Sequence, residues 1–293
     1  MVRLGALVLP EYPGPETTAI WRRLDELGLA HAWTFDHLSW RTLRDRPWFD
    51  AMTTLAAAAA VTGRIELGTL VTSPNFRHPV AVARQAMTLD QLSGGRFLLG
   101  VGAGAAGPDD IALGAPPPTA AERADRFAEF VSLLDRLLRD RVTTFHGSHF
   151  HAVDVRMIPG CAREPRVPLA IAASGRRGMR LTARYADIWV CFGPPGDPAG
   201  RGERECFDAL RVQSEMLESA CVDDGRDPGS PRRLVWLSRF LPTPSYSPER
   251  LADAVGRCAA AGFTDVVIAY PRADGVHAGS VERFEAAVAH ILQ

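Results

Sequence analysis

The stretch Thr62–Gly104, TGRIELGTLVTSPNFRHPVAVARQAMTLDQLSGGRFLLGVGAG, decides the fold. An apolar run, Ile65–Val71, leads into a polar, proline-bounded turn, Thr72–Pro79. An amphipathic segment follows, then a second apolar run, Phe97–Val101, that ends in glycines. Strand, helix and strand joined by such short connections make a parallel crossover. Arg77 and His78 stand directly beyond the first strand's C-terminal end, the end at which parallel α/β folds bind ligands.

The same alternation runs outward in both directions. Strands are predicted at Leu4–Leu9, Ala32–Phe35, Ile65–Val71, Phe97–Val101, Leu169–Ala173, Ile188–Phe192, Leu234–Phe240 and Val266–Tyr270. Helices are predicted at Glu16–Leu27, Asp50–Val61, Val80–Leu92, Ala120–Arg139, Arg177–Tyr185, Glu203–Val222, Pro248–Ala261 and Ser280–Leu292. Eight strands, each followed by a helix, give a (β/α)8 TIM barrel, one domain over residues 1–293. Boundary residues agree: Ser247–Pro248 reads as an N-cap and N1 proline, and Gly28, Gly63 and Gly262 read as helix stops. The main excursion, Val142–Val167, lies between the fourth helix and the fifth strand, and its pattern VTTFHGSHFHAVDV predicts a hairpin. Ala103–Thr119, rich in Gly and Pro, reads as a mobile loop over the barrel mouth.

Composition narrows the chemistry. The 293 residues are 46% hydrophobic and 23% charged with net charge −1, so no basic face for nucleic acid or membrane lipid is expected. All 33 basic residues are arginine. Without lysine, Schiff-base enzymes and Walker-type phosphate loops are excluded. Five scattered cysteines, an odd count with no CxxC, predict reduced thiols in a cytoplasmic protein. No segment has the length of a membrane span or the form of a signal peptide.

Several residues can carry chemistry. Asp36–His37 ends the second strand, where a carboxylate beside an imidazole suits proton transfer. Trp33, Phe35, Trp40 and Trp48 lie nearby and could wall a planar ring. The turn Gly68–Pro74 reads equally as a low wall for a flat heterocycle or as an ordinary βα turn. Gly100–Gly104 lets backbone approach a ligand but lacks the Rossmann spacing. In AASGRRG, residues 172–178, consecutive amides at a helix start together with Ser174, Arg176 and Arg177 read as a phosphate site or as a capped helix start with two solvated arginines, the bracketing glycines favouring the former. His146, His149 and His151 belong to the hairpin; no carboxylate or cysteine is spaced to complete a metal site with them.

Taken together, Thr62–Gly104, the FHGSHF hairpin and PLAIAASGRRGMRLTARYADIWV (168–190) resemble the bacterial luciferase-like flavin and deazaflavin oxidoreductases, over most of the chain. The resemblance implies a barrel that binds coenzyme F420, or FMN as the alternative, across the strands' C-terminal ends. The ring would lie against Leu70–Val71, where the deazaflavin branch usually has a non-proline cis peptide, near Asp36 and His37. The ribityl-phosphate chain would follow Ala103, Gly104, Ala105 and Ala106 towards Ala173, Ser174, Gly175, Arg176 and Arg177.

The Asp-His pair and the short chain favour F420. Sugar-phosphate dehydrogenases of the family carry Thr-Gly-Glu-Glu where this chain has Ala103–Ala106, which argues against that substrate. Asp109 or Asp110 could supply the missing acid if their loop folds back. The resemblance thus implies hydride transfer between deazaflavin C5 and a small organic substrate, most readily reduction of C=C, C=N or C=O. His37 would be the proton donor or acceptor, Asp36 would orient it or touch the cofactor, and Trp40, Trp48 and Asp109 would line the substrate pocket. The alternatives are an FMN monooxygenase fed by a partner reductase and a non-catalytic flavin-binding protein. Relatives are commonly homodimers, for which Trp21, Trp40 or Trp48 would be interface anchors.

Overall fold

A computed structural model describes residues 2–105, 107–114, 116–196, 198 and 200–293. In chain order its elements are β1 (Arg3–Leu7), α1 (Gly14–Glu26), β2 (His31–Thr34), α2 (Ala51–Val61), β3 (Glu66–Thr69), α3 (Pro79–Ser93) and β4 (Phe97–Val101). A short helix α4 (Pro108–Ala112), helix α5 (Ala120–Arg139) and the hairpin strands β5 (Val142–His146) and β6 (His151–Arg156) follow. The remainder is β7 (Leu169–Ala172), α6 (Arg176–Tyr185), β8 (Ile188–Cys191), α7 (Glu203–Asp223), β9 (Arg232–Trp236), α8 (Pro248–Ala260), β10 (Asp265–Ala269) and α9 (Val281–Leu292). Eight parallel strands close into a barrel in the order β1-β10-β9-β8-β7-β4-β3-β2, as expected of a (β/α)8 fold. The antiparallel hairpin β5–β6 is the expected excursion. His146 and His151 end its two strands, and His149 sits in their connection.

Local chemistry explains the helices. Thr119 caps α5 reciprocally with Glu122: Thr119 Oγ1 accepts the Glu122 amide and Glu122 Oε2 accepts the Thr119 amide. Phe127, Phe130, Val131, Leu134 and Leu138 recur at helical spacing on its buried side. Asp50 caps α2 by accepting the Thr53 amide at 2.8 Å. Gly28 and Gly262 adopt φ of 84° and 86°, as helix stops should. Gly63 does not: α2 ends at extended Thr62, whose hydroxyl donates back to Ala58 O.

The chain groups into two compact units, residues 10–21 with 34–170, and residues 1–9 with 22–33 and 171–293. The first holds the C-terminal ends of β3 and β4, the segment following β2, and the excursion. Asp90 of α3 pins the excursion's return by accepting the Ala162 and Arg163 amides at 2.7 and 3.0 Å.

The second unit contains a buried ionic cluster at the N-terminal ends of its strands. His31 Nε2 lies 3.1 Å from Asp265 Oδ1, and Arg232 and Arg3 flank the same carboxylate. Trp33 Nε1 donates to His31 Nδ1 at 2.8 Å, which leaves the Nε2 tautomer facing Asp265. Burial depresses the His31 pKa and so keeps the ring neutral. Burial alone would raise Asp265, but His31 and Arg232 outweigh it and hold the carboxyl well below its usual range. Gly5 of β1 is obligatory here, because a Cβ would lie 1.8 Å from the His31 ring.

Trp21 is completely buried, which removes it as an interface anchor. All five cysteines are free, four of them buried. Among the described residues no helix is long and apolar enough to cross a membrane.

Candidate active site

The candidate site lies in the first unit, where the chain leaves the C-terminal ends of β2, β3 and β4. The segment after β2 carries Asp36 and His37, and the two side chains part company. Asp36 is 1% exposed, and its carboxylate is fully engaged. Arg77 Nη2 donates to Oδ1 at 2.6 Å and Arg77 Nε to Oδ2 at 3.2 Å, while the Thr72 hydroxyl donates to Oδ2 at 2.8 Å. Arg77 also reaches Asp50 Oδ2 at 2.6 Å. One guanidinium thus serves two carboxylates, the arrangement its fork of donors allows. Burial works to lower the Arg77 pKa, and Asp36 and Asp50 more than reverse it, so its charge is secure. Partial burial would raise Asp50, but the Thr53 amide and Arg77 bring it below its usual value.

His37 finds a different acid. Its Nδ1 lies 2.7 Å from Asp109 Oδ2, and Asp109 Oδ1 accepts the Leu38 amide at 2.8 Å. With the carboxylate accepting from Nδ1–H, Nε2 is left as the ring's second proton site, and the side chain is 29% exposed. The Trp48 indole donates to His37 O at 2.8 Å and fixes the backbone. The loop therefore does fold back. Asp109, placed by sequence in the substrate pocket, is the carboxylate on the His37 ring, and the expected orienting role of Asp36 is not seen.

The sequence explains why Asp109 can reach. Gly107–Pro108–Asp109–Asp110 is a helix start with an N1 proline, and Asp110 Oδ2 accepts the Gly107 amide at 3.3 Å. Asn75, which no sequence pattern singles out, donates to Ala105 O at 2.9 Å and to Asp110 Oδ2 at 3.4 Å. Gly104 makes that approach possible: its φ is +72°, and a Cβ would lie 2.6–2.7 Å from the Asn75 amide. Asn75 thus stitches the loop after β4 to the turn after β3.

The remaining expected cofactor residues fall as follows. The peptide bond between Leu70 and Val71 is cis, as the resemblance implied. Leu70 is buried, Val71, Ala103 and Gly104 are half-buried, and Ala105 is exposed. Ala106 lies outside the described residues. Ser73 is 2% exposed, and its hydroxyl has no hydrogen-bond partner in the protein. In the second unit Ala173 is half-buried, while Ser174, Gly175, Arg176 and Arg177 are exposed at the start of α6. Gly175 caps that helix without a side-chain hydrogen bond, and a Cβ there would meet nothing within 4 Å. Trp40 and Trp48 stack with ring centroids 6.4 Å apart and planes 13° apart, and Phe35 lies against Trp40 at 5.1 Å. Among the described residues no group of His, Cys, Asp or Glu is placed to hold a metal ion.

The chain has relatives among known proteins. The chain is 29% identical to the F420-dependent glucose-6-phosphate dehydrogenase of Beutenbergia cavernae, over 97% of this chain and 95% of that one. It is 33% identical to the 4-hydroxyprotoasukamycin monooxygenase of Streptomyces nodosus subsp. asukaensis, over 77% of this chain and 60% of the relative. Against several other curated relatives, too, it spans less than two thirds of their length. A solved structure of an F420-dependent secondary alcohol dehydrogenase superposes with a TM-score of 0.81 over 99% of both chains, at 18% identity, and so shares the fold. Residues 4–234 match the family described as luciferase-like monooxygenase. On that match, and on a barrel with the expected cis peptide just beyond β3, the chain belongs to the luciferase-like monooxygenase family.

Proposed function

We propose that the protein is a coenzyme F420-dependent oxidoreductase in which His37, held by Asp109, handles the proton that accompanies hydride transfer to or from a small organic substrate. The observation that carries this reading is the His37–Asp109 pair: an accessible imidazole with one nitrogen tied to a carboxylate and the other free. The whole-length relative from Beutenbergia cavernae, itself named as F420-dependent, supports the choice of cofactor.

Residues in each unit, taken by itself, suit one part of such a cofactor. The buried, unpartnered Ser73 hydroxyl offers a hydrogen bond beside the Leu70–Val71 turn, where the ring is expected. The uncapped start of α6 offers backbone amides and Arg176 and Arg177 to a phosphate. When bound, the reduced deazaflavin supplies a hydride from C5 without the oxygen chemistry of a flavin.

The chain's own residues do the rest. When a carbonyl is reduced, its carbon gains the hydride and its oxygen takes the proton from His37 Nε2. Asp109 keeps the second ring proton on Nδ1, so that Nε2 alone faces the substrate. Asp36, ion-paired with Arg77, fixes the segment after β2 and leaves the ring of His37 to Asp109.

The test is a pair of titrations and one variant. F420 should quench tryptophan fluorescence at lower concentration than FMN. In H37A, turnover of a panel of ketones and enones with reduced F420 should fall at least about 100-fold, the range of general acid–base catalysis, with F420 affinity within about threefold. Tight FMN binding with oxygen consumption would establish the monooxygenase reading instead. Unchanged H37A turnover would remove His37 from the chemistry.

A further inference from the structure

Given the reading of His37 above, the reaction depends on a carboxylate that the chain delivers on a marginal piece of structure. Asp109 sits in α4, which is five residues long and too short to hold its shape unaided. Hydrophobic burial does not fix it: Ile111 and Leu113 are 66% and 59% exposed. Yet Asp109 and Asp110 are buried, so the start of the helix is docked. Polar contacts do the docking.

Besides the bonds of Asp109 itself, those contacts run to Asn75. Its buried side chain ends in one NH2 group, and the two hydrogens have acceptors on either side of the helix start. Ala105 O, which precedes α4, lies at 2.9 Å, and Asp110 Oδ2, in its first turn, at 3.4 Å. Asp110 Oδ2 also accepts the Gly107 amide, so the carboxylate next to Asp109 is engaged away from the His37 ring.

Asn75 in turn stands on a fixed platform. On one side of it, Thr72 donates its amide to Gly100 O and its carbonyl accepts the Gly102 amide. On the other, Arg77 is held by Asp36 and Asp50. Gly104 leaves the room, since a Cβ there would lie 2.6–2.7 Å from the Asn75 amide. A glycine, a buried amide and a second buried aspartate thus meet at one point, and hydride transfer itself calls for none of them.

We propose that Asn75 is a positioning residue for the reaction: by clasping Ala105 and Asp110 it keeps Asp109 on the His37 ring. Without the clasp α4 leaves the ring, and His37 loses the carboxylate that holds its Nδ1 proton.

Two readouts on the full-length protein test this, one of them independent of turnover and of F420. With isotope-labelled histidine, the Nδ1–H of His37 should give a low-field proton signal, identified by its loss in H37Q and in D109A. N75A should lose the same signal while its circular dichroism stays that of the wild type. At saturating F420 its kcat should fall at least about fivefold, the low-end worth of two neutral hydrogen bonds. In a D109A background N75A should cost less than about twofold more, because residues that act through one another do not add. N75S keeps a hydroxyl donor beside Ala105 O and should show an intermediate loss; it carries the test if N75A does not fold. A retained signal with wild-type kcat in N75A, or losses in N75A and D109A that multiply, overturns the proposal. An inactive H37A beside a wild-type-like N75A would discard the role of Asn75 and keep the proton donor. A fully active H37A, with the signal lost in N75A, would keep the clasp and discard the proton donor.

Discussion

Replacing Asp109 with asparagine isolates the charge on the His37 partner. The variant is isosteric and can still accept the Leu38 amide at Oδ1, so the loop stays docked and one of the two Asp109 hydrogen bonds survives. What changes is the 2.7 Å bond to Nδ1, which goes from charge-assisted to neutral. Charge-assisted bonds contribute about 1.5–3 kcal/mol and neutral ones about 0.5–1.5, so the loss is about 1–2 kcal/mol. If that stabilisation is exerted on the transferring proton, kcat falls by about 5- to 30-fold. An asparagine amide can also donate to Nδ1, which excludes the doubly protonated ring from which the reduction draws its proton and adds to the loss. The assay is steady-state reduction at saturating F420, with F420 affinity measured separately and expected to be unchanged. D109A, which releases the Leu38 amide as well, should be worse and should raise KM. A D109N enzyme within twofold of wild type, with the loop still docked, would show that the Asp109 charge plays no part in catalysis.

Three further outcomes are expected. G104A forces a side chain into φ +72° and against the Asn75 amide; a left-handed residue alone costs about 1–2 kcal/mol, so thermal unfolding should shift down by about 2–8 °C and activity should fall with the displaced loop. An unshifted melting temperature would contradict the close approach. Acid should destabilise the protein in two stages. His31 stays neutral in the fold while the unfolded chain takes up a proton below about pH 6.5, so stability is lost as pH falls from there. The Asp265 contribution, present above about pH 4, is lost on further acidification, because its folded pKa is depressed. Half-buried His277, whose pKa burial lowers to about 4, adds a loss of stability over the same range, so melting curves of H31N should lack part of the first stage, and a wild-type profile flat between pH 7 and 5 would refute it. The double variant R176A/R177A should bind F420 about tenfold more weakly, with a flatter salt dependence and kcat unaltered at saturation. Wild-type affinity in that variant would place the phosphate elsewhere.

Periodicity carried most of the fold. β4 and α5 have the very limits that their apolar patterns and caps indicate, because Phe97–Val101 is an unbroken buried run and Thr119 with Glu122 forms a box. β2 begins at His31, one residue earlier than the sequence suggested, since a histidine is not a usual start to a buried strand. Its signal was the alternation His31, Trp33. His37 was legible from its position after a strand. Its partner was not, because a loop aspartate that docks and one that stays in solvent look alike until the chain between them is folded. The same holds for Arg77 and Asp36, whose attraction has no local pattern. Of the features around Asp109, Gly107–Pro108 did announce a helix start, and reading it as one would have turned the loop inward.

The ionic cluster around Asp265 bears on how the molecule is made. Arg3 and His31 come from the first two strands, Arg232 and Asp265 from the last two. A growing chain therefore displays Gly5, His31 and Trp33 long before the carboxylate that completes their surroundings is synthesised, and contacts so distant in sequence form late. A register slip of one residue in β10 would turn Asp265 to the opposite face and leave buried His31 and half-buried Arg232 without their anion. The cluster works as a lock that accepts a single key, so the barrel seam closes after the last strand leaves the ribosome and in one alignment.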